Sequence, residues 1–231
     1  MEAIVLAGGL GSRLARVLNN IPKAMAPIGQ RPFLELLLDR LEQGGVKRVL
    51  LSVGYLHHVI QEHFGARYRS LDLEYIVEQT PLGTGGAVRL GLSRITGPRA
   101  FVLNGDTLVN VDYRQMDRIH TMSQSCFSMA VCDIQDTSRY GQVTIEDGRV
   151  VGFSEKKSGL GQGLINAGVY LMDRDLLNEH PLDEVFSLER DYLVPMAAVV
   201  KPLAFITPGP FIDIGVPEDL EQAQRLALNP L

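Results

Sequence analysis

The chain has 231 residues, 45% of them hydrophobic, a mean hydropathy of +0.06 and a formal net charge of -5. That apolar content is enough for one full core and excludes a disordered chain, and the lack of any basic block argues against nucleic acid as the principal partner. No apolar run reaches bilayer length and no leader pattern opens the chain, so a cytoplasmic protein without a membrane partner is expected.

Ala3 to Ala7 is an apolar run of strand length, and it opens onto Gly8, Gly9, Gly11, Ser12 and Arg13. A strand feeding such a loop suits a phosphate, because glycines let backbone N–H groups approach an anion while Arg13 and Lys23 supply charge. The dinucleotide pattern fails, since its third glycine would fall on Leu14, and the chain has no Gly-Lys pair for a P-loop. The bland alternative is a connector with two solvated cations.

Pro22, Pro27 and Pro32 then predict an extended course through Lys23 and Met25. Phe33 to Gln43 reads as an amphipathic helix closed by Gly44 and Gly45, Val46 to Val53 as a strand, His57 to Phe64 as a short helix and Leu73 to Val77 as a strand. His57, His58 and His63 miss the i, i+4 spacing of a helical metal pair and read as surface residues. A second glycine-rich loop, Glu78 to Gly86, leads into a helix expected over Ala87 to Ile95. Two such loops beyond the carboxyl ends of parallel strands can line one cleft, although Gly83, Gly85 and Gly86 also suit plain turns and close packing.

Ala100 to Asn104 forms the next strand and ends in Asn104-Gly105-Asp106. A carboxylate just past a buried strand is a candidate Mg²⁺ ligand, or else a turn aspartate. Tyr113 to Met122 reads as a helix and Phe127 to Val131 as a strand; Cys126 and Cys132 are spaced for one strand face as core thiols. From Tyr140 two short β runs flank Asp147-Gly148, a hairpin signal that interrupts the strand and helix alternation. Glu155 and Lys156 follow, then a mobile-looking stretch from Lys157 to Gly163 and a strand from Leu164 to Tyr170 that carries Asn166. Phe186 to Ala198 is a helical pattern interrupted by Pro195, Leu203 to Ile206 a strand, and Pro217 to Leu228 a terminal helix. Asp213, flanked by isoleucines, is costly to bury alone and is the natural partner for Asp106.

Taken in order, Leu6 to Leu14 (LAGGLGSRL), Pro22-Lys23, Pro81 to Gly86 (PLGTGG), Asn104-Gly105-Asp106, Glu155-Lys156, Asn166-Ala167-Gly168 and Asp213-Ile214-Gly215 resemble the sugar-phosphate nucleotidyltransferases across the chain. The resemblance implies an α/β, Rossmann-like three-layer fold with a mixed, mostly parallel central sheet and a small β-rich insertion. It implies one domain over 1–231, with nucleotide bound by about 1–112 and sugar phosphate by about 113–231. Arg13 and Lys23 would hold the triphosphate, Asp106 and Asp213 would carry Mg²⁺, and Leu6, Ala7, Gly8, Gly9, Gly11, Ser12, Glu78, Pro81, Leu82, Gly83, Thr84 and Gly105 would surround the nucleotide. Glu155, Lys156, Asn166 and Gly141 would face the sugar phosphate. Ser12 departs from the family's usual threonine, and Ala24 from the proline that commonly follows the lysine.

Glu78 stands where the family faces the base, and a carboxylate there accepts from guanine N1–H and N2–H₂; its alternative role is to order the loop. The resulting expectation is Mg²⁺-dependent transfer from GTP to a manno-configured sugar 1-phosphate, a heptose ahead of mannose, in cell-surface glycan synthesis. Uridylyl or thymidylyl transfer to another sugar phosphate is the enzymatic alternative, and a silent nucleotide-sugar-binding regulator the non-enzymatic one. A homodimer through the hairpin or the terminal helix is also open.

Overall fold

Alternate residues of the first strand, β1 (Glu2–Leu6), enter two different cores: Ala3 and Val5 lie in one, Ile4 in the other, and all three are fully buried. A strand apolar on both sides belongs in the middle of a covered sheet. The computed structural model describes residues 1–9, 11, 14, 18, 21–154 and 161–228. The further strands are β2 (Pro27–Ile28), β3 (Arg31–Pro32), β4 (Arg48–Val53), β5 (Arg67–Tyr68), β6 (Leu71–Val77), β7 (Arg99–Asn104), β8 (Thr107–Val109), β9 (Phe127–Ile134), β10 (Gln142–Glu146), β11 (Arg149–Ser154), β12 (Gly163–Asp173), β13 (Leu203–Thr207) and β14 (Phe211–Asp213). The α-helices are α1 (Phe33–Gln43), α2 (His57–Phe64), α3 (Gly83–Arg94), α4 (Tyr113–Met122), α5 (Val194–Val200) and α6 (Pro217–Leu228).

Ten strands form one sheet in the order β10-β11-β13-β9-β12-β7-β1-β4-β6-β5. From β13 to β6 every strand runs parallel except β12, which is antiparallel to both β9 and β7. One face is covered by apolar residues of α1, α2, α4 and α6, including Leu37, Ile60, Met116 and Leu220; the other is covered by α3 and the segment through α5, including Val88, Leu92, Tyr192 and Ala197. The result is the three-layer α/β arrangement with a mixed sheet. The hairpin β10–β11 continues the sheet, joining β13 at Arg149↔Leu203 and β12 at Gln142↔Ile165.

Four local expectations change. Lys23 to Met25 is a single 3₁₀ turn, closed by Met25 N–H on the Pro22 carbonyl at 2.8 Å, because proline fixes an entry angle that a tight turn accepts as readily as an extended chain. Helix α3 starts at Gly83, so the glycines of the second loop form its first turn. Leu188 to Leu193 is π-helical before α5: Pro195 in the first turn of α5 has no N–H to give, and Val194 N–H instead reaches the Glu189 carbonyl. Cys126 is exposed and lies one residue before β9, whereas Cys132 is buried within it, so strand parity does not apply to the first. The stretch expected to be mobile is described only for 161–163, where Gly163 opens β12.

At the sheet edge where the parallel strands begin, Glu2 is nearly buried and anchors several elements. Its carboxylate pairs with Arg48 and accepts from Gly97 N–H at 2.6 Å, Thr96 N–H at 2.9 Å and the Thr96 hydroxyl at 3.0 Å. Burial opposes its charge, but these hydrogen bonds together hold its carboxyl below the ordinary value. A depressed folded-state pKa means stability present above the unfolded value and lost as pH falls through the folded one. Glu2→Ala is therefore expected to cost about 2–3 kcal/mol at neutral pH, less than the ~3–5 of a wholly buried pair because Arg48 keeps Glu74 and some solvent. Denaturant titration checks the loss, which should shrink as the wild type is acidified below about pH 4.5.

Candidate active site

The carboxyl ends of β1, β4, β6 and β7 share one edge of the sheet, and the loops leaving them meet there. β1 and β7 finish in register at Leu6↔Asn104, and Gly105 N–H then bonds the Leu6 carbonyl at 3.0 Å. A Cβ on Gly105 would lie 2.6 Å from that oxygen, so this turn needs glycine to deliver Asp106 to the cleft. β14 pairs with β8 so that Asp213 stands opposite Thr107, and Ile214 N–H bonds the Asp106 carbonyl at 3.0 Å. Two carboxylates distant in sequence thus become neighbours. Lys23, on its 3₁₀ turn, places Nζ on Asp106 Oδ2. Gly11, with φ +57°, backs directly onto Lys23: a Cβ there would be 3.1 Å from that of the lysine.

Burial pushes the Asp213 carboxyl up, and Asp106 pushes it further, while Lys23 opposes both. A half-buried Asp213 carboxyl that resists ionising beside a second carboxylate suits a hard divalent cation. Mg²⁺ fits this donor set, since it commonly takes one or two carboxylates and completes its shell with substrate phosphate and water. Among the described residues no group of three acidic, histidine or cysteine side chains is placed for a metal, so an ion here would need such outside ligands.

The cleft above this floor has a volume of about 540 Å³. One wall comes from β12: because it runs antiparallel, its early residues reach the carboxyl edge of β7. Gly168, with φ +68°, sits against Asn104, where a Cβ would meet the amide at 2.7 Å. Asn166 then lines the cleft, accepting from Gly168 N–H at 3.0 Å and donating to the Tyr170 hydroxyl at 2.7 Å. Gly141 arrives beside it through the Gln142↔Ile165 bridge. The facing wall holds Thr84 in the first turn of α3, whose hydroxyl accepts from Leu188 N–H at 2.9 Å. Glu78 follows β6, with Oε1 accepting from the Ser52 hydroxyl at 2.8 Å and Oε2 from Leu82 N–H at 3.0 Å. Gly8 lies against it, its missing Cβ 3.1 Å from Glu78 Oε1.

Comparison with known proteins gives the family of the chain. The family model described as nucleotidyl transferase matches residues 2–229. The chain belongs to the nucleotidyl transferase family. It is 40% identical over 225 residues to a D-glycero-α-D-manno-heptose 1-phosphate guanylyltransferase of Aneurinibacillus thermoaerophilus, covering 97% of each chain. It is also 40% identical to the enzyme of that name from Campylobacter jejuni, covering 95% of this chain and 96% of that one. Among solved structures it is similar to HddC from Yersinia pseudotuberculosis complexed with GMP-PN, at TM-score 0.84 and 35% identity, covering 97% of this chain and 98% of that one.

Within this nucleotidyl transferase, Lys23, Thr84, Asp106, Gly141, Asn166 and Asp213 line the same cleft. Leu6 and Gly105 bond each other in the turn before Asp106, Ala7 N–H bonds the Ser52 carbonyl at 2.8 Å, Gly9 and Pro81 are exposed, and Leu82 and Gly83 frame the entry of α3. Gly83, Gly85 and Gly86 serve packing: their missing Cβ atoms would strike the Phe186 backbone, the Phe186 ring and the Glu184 carbonyl. Ser12, Arg13, Glu155 and Lys156 lie outside the described residues.

Sequence reasoning missed Arg139, Tyr140 and Glu189 of the nucleotidyl transferase cleft. Arg139 forks onto Asp219 of α6 at 2.6 and 2.5 Å, an ion pair that raises its already high pKa, and it lies 5.8 Å from the Tyr140 ring centre. Tyr140 packs edge-on against Phe211, and burial, then the charge of Asp213, lifts its phenol to about 12. Arg139 and Tyr140 immediately precede Gly141, which was the one available signal.

Proposed function

We propose that this nucleotidyl transferase moves GMP from GTP to D-glycero-α-D-manno-heptose 1-phosphate, releasing pyrophosphate, with Mg²⁺ held by Asp106 and Asp213. The observation that carries the reading is the convergence of Lys23, Asp106 and Asp213 on one cleft floor under two glycine-rich loops. The guanylyltransferase names of relatives at 40% identity, and GMP-PN in the HddC structure, support the nucleotide and the sugar.

In the proposed reaction a sugar-phosphate oxygen forms a bond to the α-phosphorus of GTP as the bond to the bridging oxygen of pyrophosphate breaks in line. The nucleophile is already anionic, so no side chain need remove a proton. The work left for the protein is alignment and charge neutralisation. Lys23 would reach the α-phosphate and stay on it as negative charge builds, exchanging Asp106 for substrate oxygen. Bound Mg²⁺ would neutralise phosphate charge beside the two carboxylates. Arg13 on the leaving phosphates, Lys156 on the sugar phosphate, and Glu155 and Asn166 on sugar hydroxyls complete the proposal, with nucleotide bound by about 1–112 and sugar phosphate by about 113–231. It also carries cytoplasmic action, where GTP is available, and a homodimer, which sedimentation would test. No described helix is long and apolar enough to cross a membrane.

The deciding experiment measures pyrophosphate release with Mg²⁺, each of the four nucleotides, and heptose 1-phosphate or mannose 1-phosphate. Release confined to GTP with the heptose phosphate is expected. Preference for another pair would correct the specificity, and absence of release with every pair would sink the reading. Glu78 has bonds to Ser52 and Leu82 but retains lone pairs for guanine, as a carboxylate offers about four acceptor sites. Glu78→Gln is expected to lower kcat/KM for GTP ~10–100-fold, the value of a charged hydrogen bond, and to narrow its lead over ATP. Unchanged relative rates for all four nucleotides would show that Glu78 only orders its loop.

A further inference from the structure

Both cations that line the cleft among the described residues already face carboxylates: Lys23 pairs with Asp106, and Arg139 with Asp219. Glu189 is different. It lines the same cleft, is exposed, and makes no side-chain hydrogen bond or ion pair among the described residues. Its neighbours are occupied: Arg190 binds Asp191 at 2.7 Å, and Asp191 accepts from Ser187 N–H at 2.7 Å.

The backbone under Glu189 is held firmly. Its carbonyl accepts from Val194 N–H in the π-helical turn, Leu188 N–H is tied to the Thr84 hydroxyl at 2.9 Å, and Leu188, Tyr192 and Leu193 are buried. Glu189 shares the lining of the cleft with Asn166 and Tyr170. Burial raises the Tyr170 phenol first, its hydrogen bond with Asn166 opposes the rise, and the charge of Glu189 adds to it. A π-turn that interrupts an α-helical run is often found at a functional site.

An unpaired carboxylate in a cleft meant for two polyanions is repelled by every phosphate that enters. When ligand displaces the water that solvates it, it needs neutral donors, and the hydroxyls of the sugar are the donors the substrates offer. We infer that Glu189 is a specificity-determining residue whose carboxylate accepts hydrogen bonds from the sugar hydroxyls of the sugar 1-phosphate, on the side of the cleft shared with Asn166. This rests on the proposed reaction and adds a recognition group to it.

The test compares initial-rate kinetics of wild type, Glu189→Gln and Glu189→Ala with heptose, mannose and glucose 1-phosphates at saturating GTP, and then with GTP varied. Glu189→Ala is expected to raise KM for the preferred sugar 1-phosphate at least ~10-fold, with KM for GTP within about twofold, and to flatten the preference among the sugars. Glu189→Gln keeps one acceptor oxygen and should fall between. Both variants should melt with the wild type, since the side chain is exposed and makes no hydrogen bond or ion pair among the described residues. A sugar-phosphate KM unchanged in Glu189→Ala, or an equal rise in KM for GTP, overturns the inference while leaving the reaction intact. A wild type that turns over no sugar 1-phosphate sinks both.

Discussion

Asp213→Asn is expected to remove at least ~10³-fold of kcat and, in the same protein, to raise the thermal midpoint without ligand by about 2–4 °C, the shift that ~1 kcal/mol makes in a chain of this length. The two effects share a cause. Asp213 is held beside Asp106 by the β14–β8 pairing, and its carboxyl is pushed up first by burial and then by that neighbour. A folded-state pKa above the unfolded one means that ionisation costs the fold: stability falls as pH rises through that window, and the cost is present in full above the folded value. Asparagine fills the same space and cannot ionise, so the cost disappears along with a ligand for the cation. Melting curves of wild type and variant should converge as pH falls below the raised value. A variant that loses activity but melts at or below the wild type at neutral pH would mean that the carboxylate is already compensated, and that the pair is not poised for a cation.

The sheet was legible because both of its periodicities are written in the residues. Phe33 to Gln43, His57 to Phe64, Tyr113 to Met122 and Pro217 to Leu228 keep their expected bounds, each having an apolar stripe of helical period and a clear stop or start. The pairing of Asp106 with Asp213 was legible for a different reason, the cost of burying an acid between isoleucines. What sequence did not expose is long-range. Nothing local says that β12 runs antiparallel between β7 and β9, yet that reversal brings Asn166 to the edge where the parallel strands end. The start of α3 was misjudged because glycine propensity argues against a helix, whereas Gly83, Gly85 and Gly86 are accommodated by Phe186 and Glu184, about a hundred residues away. Glu189 was invisible for the same reason: a glutamate in a helical pattern reads as solvated surface until the π-turn and its tie to Thr84 place it in the cleft.

Gly85→Val should lower kcat/KM at least ~100-fold, through a misplacement of substrate-binding walls of the kind that costs that much, and should raise KM for GTP and for the sugar phosphate together. An added Cβ at this position would lie 2.1 Å from Cε2 of Phe186. The ring cannot retreat easily, since Phe186 is buried in the core beneath α3 and its backbone exchanges hydrogen bonds with the second loop, Gly85 N–H to its carbonyl at 2.9 Å and its own N–H to the Leu82 carbonyl at 3.1 Å. Arg89 adds its guanidinium 5.2 Å from the ring centre and a 2.7 Å bond to the Asp183 carbonyl. These contacts join the loop that carries Glu78 and Thr84 to the turn that carries Glu189, so the nucleotide side and the sugar side share one latch. Displacing Phe186 moves both, whereas damage confined to one wall would raise a single KM. The double variant Gly85→Val with Phe186→Ala vacates the ring's volume and should recover part of the loss in kcat/KM, although Phe186→Ala alone lowers stability by about 3–5 kcal/mol through its cavity. Steady-state kinetics on the four proteins of this cycle measure the coupling. Additive losses, with no recovery in the double variant, would show that Gly85 acts on the nucleotide loop alone and that the two walls are independent.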